Sequence, residues 1–226
     1  MPQLLISVTS VVEAKLAMPY AGIIDLKNPH QGALGALPLE IIGQVVQFVN
    51  RQKIVSATIG DLPMDTHKDA EQILAAVKAM QATGVDFVKI GFFASENYQA
   101  CLDALAPLVE SGVKLIAVLF AEKNYPEDLI ENICQAGFVG VMLDTAVKNG
   151  QTLFDHYAPQ KRVAFIHQSQ EKGLKVGVAG SLNQSHWVAV NNLNPDYVGF
   201  RGGVCEAQNR TFSLSEEKMQ ALCKLL

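Results

Sequence analysis

Asp25 and Lys27 stand two residues apart in the short apolar stretch Gly22-Ile23-Ile24-Asp25-Leu26-Lys27-Asn28-Pro29. A strand repeats every two residues, so a strand here turns both charges to one face and Ile24 and Leu26 to the other. Burying a lone carboxylate or ammonium costs several kcal/mol. The two therefore either form a structural ion pair or line a cavity where they can react. Other apolar runs end in side chains of the same kinds: Ser56, Thr58 and Asp61, then Lys89, then Asp144 with Lys148, then Gly180-Ser181, then Arg201-Gly202-Gly203. If these meet, the chemistry open to them is that of an amine. Crowded cations and partial burial both depress a lysine's pKa from its usual ~10.4, so one can be neutral near neutral pH. A neutral amine attacks a carbonyl to give an imine, which acidifies the neighbouring carbon and then makes it a nucleophile.

The elements that must bring them together follow from hydrophobic periodicity. Strands are expected at 4–8, 22–27, 54–59, 85–90, 113–119, 138–143, 174–179 and 197–201. Helices are expected at 11–18, 39–49, 69–83, 96–109, 126–135, 159–172, 186–191 and 214–226. Glycines at 84, 112, 137 and 173 punctuate helix ends, and Pro38 suits a first helical turn. Eight βα units in a chain of 226 residues predict one α/β domain over 1–226, a single (β/α)8 TIM-type barrel of parallel strands. An open doubly wound sheet would carry a GxGxxG phosphate loop after its first strand, and none is present.

In such a barrel the active site lies at the C-terminal strand ends, which is where the reactive residues fall. Lys27, Lys89, Lys148 and Arg201 would share one mouth with Asp25, Asp61 and Asp144. Gly180-Ser181 and Gly202-Gly203 end the last two strands, where this fold often holds phosphate. Either glycine pair alone would serve a tight turn, but two in register favour a phosphorylated substrate. Thr58 and His156 are further candidates for the binding set, His156 with a structural role equally open. No HxH, HExxH or carboxylate cluster calls for a metal, and no cofactor is expected.

Bulk properties agree with a soluble, cytoplasmic enzyme. The chain is 49% hydrophobic and 18% charged with a net charge of −4, and no basic stripe suggests nucleic acid. Four scattered cysteines, with no CxxC, fit a reducing compartment. The segment MPQLLISVTS reads as a first strand and not a signal peptide, and no apolar run is long enough to span a membrane. An apolar outer helix face would suit a homo-oligomer.

The segments IIDLKNPHQGALGA (23–36), VSATIGDLP (55–63), VDFVKIGFF (85–93), LDTAVKNGQTLFDH (143–156), VAGSL (178–182) and GFRGGVC (199–205) resemble those of one family in the same order. It is that of the (5-formylfuran-3-yl)methyl phosphate synthases, also called 4-(hydroxymethyl)-2-furancarboxaldehyde-phosphate synthases. The resemblance implies a lysine-dependent barrel that joins two glyceraldehyde 3-phosphate molecules into a furan aldehyde phosphate, losing phosphate and water. It implies a place in the biosynthesis of methanofuran or an analogue. It also implies that Lys27 is the Schiff-base lysine of the DxKNP motif and Lys89 the acid–base lysine of VKIG. Asp25, Asp144 and Lys148 match the family's supporting charges. An ordinary class I aldolase on another sugar phosphate is the alternative.

Overall fold

A computed structural model describes residues 1–93 and 98–225. The first residues of the helix expected from Glu96, and Leu226 of the closing helix, lie outside them. Eight parallel strands close a barrel in sequence order: β1 (Gln3–Val8), β2 (Ile23–Leu26), β3 (Ile54–Thr58), β4 (Phe87–Phe92), β5 (Leu115–Phe120), β6 (Gly140–Asp144), β7 (Lys175–Val178) and β8 (Tyr197–Phe200). Around it run α1 (Val11–Ala17), α2 (Leu39–Val49), α3 (His67–Gln81), α4 (Tyr98–Glu110), α5 (Leu129–Gln135), α6 (Leu153–His156), α7 (Pro159–Glu171), α8 (Trp187–Asn191) and α9 (Glu216–Cys223). The expected TIM-type barrel is the observed fold. No helix among the described residues is long and apolar enough to cross a membrane.

Two departures from the expected boundaries have clear causes. β4, β5 and β6 each begin two residues later than their apolar runs. After Gly112 and Gly137, both at positive φ, the next residue does not enter the sheet. Val113 N–H donates back to the Leu108 carbonyl and Phe138 N–H to that of Ile133, at 3.0 and 3.3 Å. That is the closing bond of a Schellman motif, whose apolar residue packs on the helix it ends. The second departure is α6, a single turn that Thr152 and Asp155 cap reciprocally. Such a capping box can stabilise a helix too short for any periodicity to show.

The barrel interior is graded. Leu5, Ile23, Ile116, Met142 and Tyr197 are buried in one apolar set inside the sheet, toward the strand starts. A larger set, with Ile6, Ile24, Val45 and Ile73 among it, lies between strands and helices. Above the inner set the register aligns Ser7 of β1 with Asp25 of β2, and Asp25 with Ser56 of β3. A polar layer thus rests on an apolar floor.

Candidate active site

Asp25 is fully buried and every oxygen has partners. Oδ1 accepts from Ser56 Oγ at 2.7 Å and lies 2.5 Å from Lys89 Nζ, while Oδ2 accepts from Ser7 Oγ at 2.8 Å. Burial pushes its carboxyl pKa up, but the Lys89 and Lys27 charges outweigh that and hold it below the usual range. Lys89 reaches this layer because β4 runs on to Phe92, which leaves the lysine inside the strand and 1% exposed. It is a deep residue and not a rim one.

Lys27 follows the last residue of β2, held by its backbone N–H on the Val8 carbonyl. Its amine is 3.7 Å from Asp144 Oδ2 and has no hydrogen-bond partner among the described residues. Burial lowers its pKa most and the Lys89 and Lys148 charges add to that, with Asp144 opposing, so the amine titrates at about 8. Asp144 in turn accepts from Lys148 Nζ at 2.9 Å and from the Thr145 N–H at 2.7 Å. Burial opposes its ionisation, but Lys148 and Lys27 win and hold it far below an ordinary carboxyl. The turn that carries Lys148 is fixed from outside, since the Glu122 carboxylate accepts the Ala146 and Val147 N–H groups at 3.0 Å each.

These five side chains open into a cavity of about 460 Å³ whose far wall is Gly180, Ser181, Gly202 and Gly203. Gly203 has no room for a side chain: a Cβ there would lie 2.2 Å from the Leu182 carbonyl oxygen. The β7 and β8 loops therefore meet backbone to backbone, and Gly180 and Ser181 hold positive φ beside them.

Four candidates from the sequence are placed elsewhere or differently. Asp61 does not line the cavity, and its carboxylate accepts the Ala33 and Leu34 N–H groups of the loop after β2. Thr58 is buried, does not line the cavity, and donates to the Gly35 carbonyl at 3.0 Å, which anchors the loop after β2. His156 sits against Glu122, its Nε2 3.9 Å from that carboxylate, and does not line the cavity. Arg201 does line it, but all five of its N–H donors are spent. They go to the Ser7, Arg210 and Phe212 carbonyls and, as a fork, to both oxygens of Glu13. Arg201 is a buried strut between β1, α1 and the loop after β8. Glu13→Ala would strand that charge, and a loss of about 3–5 kcal/mol in unfolding free energy is expected by urea denaturation. A change under ~1 kcal/mol would refute the strut.

Sequence reasoning missed Ser7, which alternates correctly with Leu5 but sits mid-strand, and Arg210, which belongs to no periodic segment. The capping box over Thr152–Asp155 was the available signal for α6. Comparison with known proteins gives one consistent result. A family profile described as 4-HFC-P synthase matches residues 4–223. A Methylorubrum extorquens protein, provisionally named a (5-formylfuran-3-yl)methyl phosphate synthase, is 39% identical over 94% of this chain and 86% of its own length. The (5-formylfuran-3-yl)methyl phosphate synthase of Methanothermobacter thermautotrophicus is 32% identical over 99% of this chain and 98% of that protein. Among solved structures, phosphoribosyl anthranilate isomerase from Thermus thermophilus superposes with a TM-score of 0.68 at 16% identity, covering 98% of this chain and 96% of that one. That likeness is one of fold.

Proposed function

The chain belongs to the 4-HFC-P synthase family, and on that premise we propose that it makes (5-formylfuran-3-yl)methyl phosphate from two molecules of glyceraldehyde 3-phosphate by a lysine imine. Phosphate and water are lost, and the product feeds the synthesis of methanofuran or an analogue. The observation that carries this reading is the Lys27 amine. It is buried, free of hydrogen bonds among the described residues, titrates at about 8 and opens on the cavity. A neutral, unencumbered amine is what addition to an aldehyde requires.

In this reading Lys27 Nζ attacks the aldehyde carbon of one triose phosphate, and loss of water gives the imine. Lys89 moves protons at the carbons next to it, and Asp25, itself oriented by Ser7 and Ser56, holds the Lys89 ammonium in place. Lys148 handles protons at the rim, and the Asp144 carboxylate positions it. The Gly180-Ser181 and Gly202-Gly203 backbone gives a phosphate room to approach. Small anionic substrates are consistent with a net charge of −4 only because the cations are gathered in the mouth.

Borohydride reduction in the presence of glyceraldehyde 3-phosphate, followed by peptide mass mapping, tests the assignment. The adduct is expected on Lys27; one on another lysine would refute it. Release of inorganic phosphate with product separates this reaction from a plain aldolase, which would release none.

The pH dependence follows from the same amine. At pH 7 roughly one Lys27 in ten is neutral, and the fraction climbs with pH. Imine formation should therefore rise from pH ~6, bend near the Lys27 value of about 8, and level off above it. A rise that continues to pH ~10 would mean an unperturbed lysine is responsible.

A further inference from the structure

We propose that Arg210, and not Arg201, is the guanidinium that takes the phosphate of the substrate. The inference rests on the reading above for which anion is bound, and on the following geometry for which residue binds it. Arg210 lines the same cavity as Lys27 and Lys148. One of its Nη2 donors meets the Gly32 carbonyl at 3.0 Å, and its other N–H groups have no partner among the described residues. No carboxylate among the described residues is hydrogen-bonded to it. Asp144 and Asp61 act on it only through space, and burial disfavours its charge. A half-buried guanidinium with donors left over can take an anion, and its fork matches two oxygens of a phosphate.

The surroundings are built to hold that side chain where it is. Arg201 grips the loop by the carbonyls of Arg210 itself, at 2.8 Å, and of Phe212, at 3.0 Å. The turn before it places two successive non-glycine residues, Ala207 and Gln208, at φ 48 and 55. That conformation costs roughly 1–2 kcal/mol per residue and persists only where the surroundings impose it. Across the mouth the Gly32 loop is just as fixed. The Asp61 carboxylate accepts the Ala33 and Leu34 N–H groups at 2.8 and 2.7 Å, and a Cβ on Gly32 would lie 1.9 Å from that carboxylate. Arg210 thus joins the β8 loop to the β2 loop that follows Lys27, and it retains donors for a ligand between them.

Calorimetric titration with inorganic phosphate tests this without relying on turnover. Arg210→Ala is expected to weaken phosphate binding about 30-fold or more, and Arg210→Lys, which keeps the charge but loses the fork, by an intermediate factor. Unchanged phosphate affinity in either variant, with a native melting curve, overturns the proposal. The second arm is borohydride trapping of wild type and Arg210→Ala with glyceraldehyde 3-phosphate and with unphosphorylated glyceraldehyde. The variant should need about 30-fold more of the phosphorylated aldehyde and the same amount of the other. Equal loss with both aldehydes would make Arg210 a loop pin alone. A wild type that binds phosphate through Arg210 but yields no furan product would refute the synthase reading and leave the anion site standing.

Discussion

Lys27→Met is expected to abolish the borohydride-trapped adduct and lower kcat/KM by on the order of 10⁴-fold or more, while leaving the protein at least as stable at pH 7. The kinetic half follows from the removal of the only amine in the mouth, among the described residues, that no hydrogen bond occupies. A nucleophile that carries a covalent intermediate has no substitute at the same position. Lys27→Arg keeps the charge but cannot form an imine, and it should be equally inactive. The stability half follows from linkage. Lys27 titrates at about 8 in the folded protein and higher when unfolded, so folding disfavours its charged form. The penalty is fully present below about pH 8 and disappears above the unfolded value near ~10.4. Replacing the amine with an apolar side chain of similar length relieves that penalty at pH 7. Little is given up in exchange, because Lys27 approaches Asp144 only to 3.7 Å and Asp144 keeps Lys148 at 2.9 Å. Thermal melts should place the variant level with or above wild type at pH 7, with the advantage fading by pH ~10. A variant several degrees less stable at pH 7 would show that Lys27 serves the fold, as an ordinary ion-paired lysine does.

How far the sequence discloses such a site depends on whether local pattern or tertiary geometry places each residue. Asp25 and Lys27 are legible because alternation puts two charges on one face of an otherwise apolar strand, and no local structure excuses that. Leu39–Val49 is legible to the residue, since Pro38 and the spacing of Ile42, Val45 and Val49 state both its start and its buried face. Lys89 is recognisable, but at the wrong depth. Its strand begins and ends two residues later than its apolar run, which puts the lysine inside the strand and not at its end. The two arginines mark the limit. Arg201 stands beside two glycines at a strand end and looks like a phosphate ligand, yet Glu13, 188 positions away, claims it. Arg210 lies in a loop with no period, and it lines the mouth from a turn whose carbonyl Arg201 holds. Neither fact has a signature within a few residues of the side chain concerned.

The Lys89–Asp25 pair decides whether the buried layer is machinery or scaffold, and the two uses predict different double variants. Lys89→Met leaves the Asp25 carboxylate 0% exposed with Ser7 and Ser56 as donors but without its nearest cation. Breaking a buried pair from one side costs about 3–5 kcal/mol, because the surviving charge is uncompensated. In wild type Asp25 has a lowered pKa, so its contribution to stability is present above the unfolded value of ~3.9 and is lost on acidification. In Lys89→Met burial is opposed only by the two serines and the more distant Lys27. The carboxyl pKa should rise, and the deficit in unfolding free energy should shrink as pH falls and Asp25 is protonated. Adding Asp25→Asn removes the stranded charge while keeping an oxygen for one serine and an amide for the other. The double variant should therefore recover to within ~1 kcal/mol of wild type by urea denaturation. Activity should not follow. A proton-transfer group at the imine carbons contributes about 10²–10⁴-fold. Neither methionine nor asparagine supplies one, so both the single and the double variant should stay at least ~100-fold below wild type in furan formation. Imine trapping on Lys27 should survive in both, because Lys27 carries its own nucleophile. If the double variant regains activity together with stability, Lys89 and Asp25 are a structural pair, and the acid–base role must move to Lys148 at the rim.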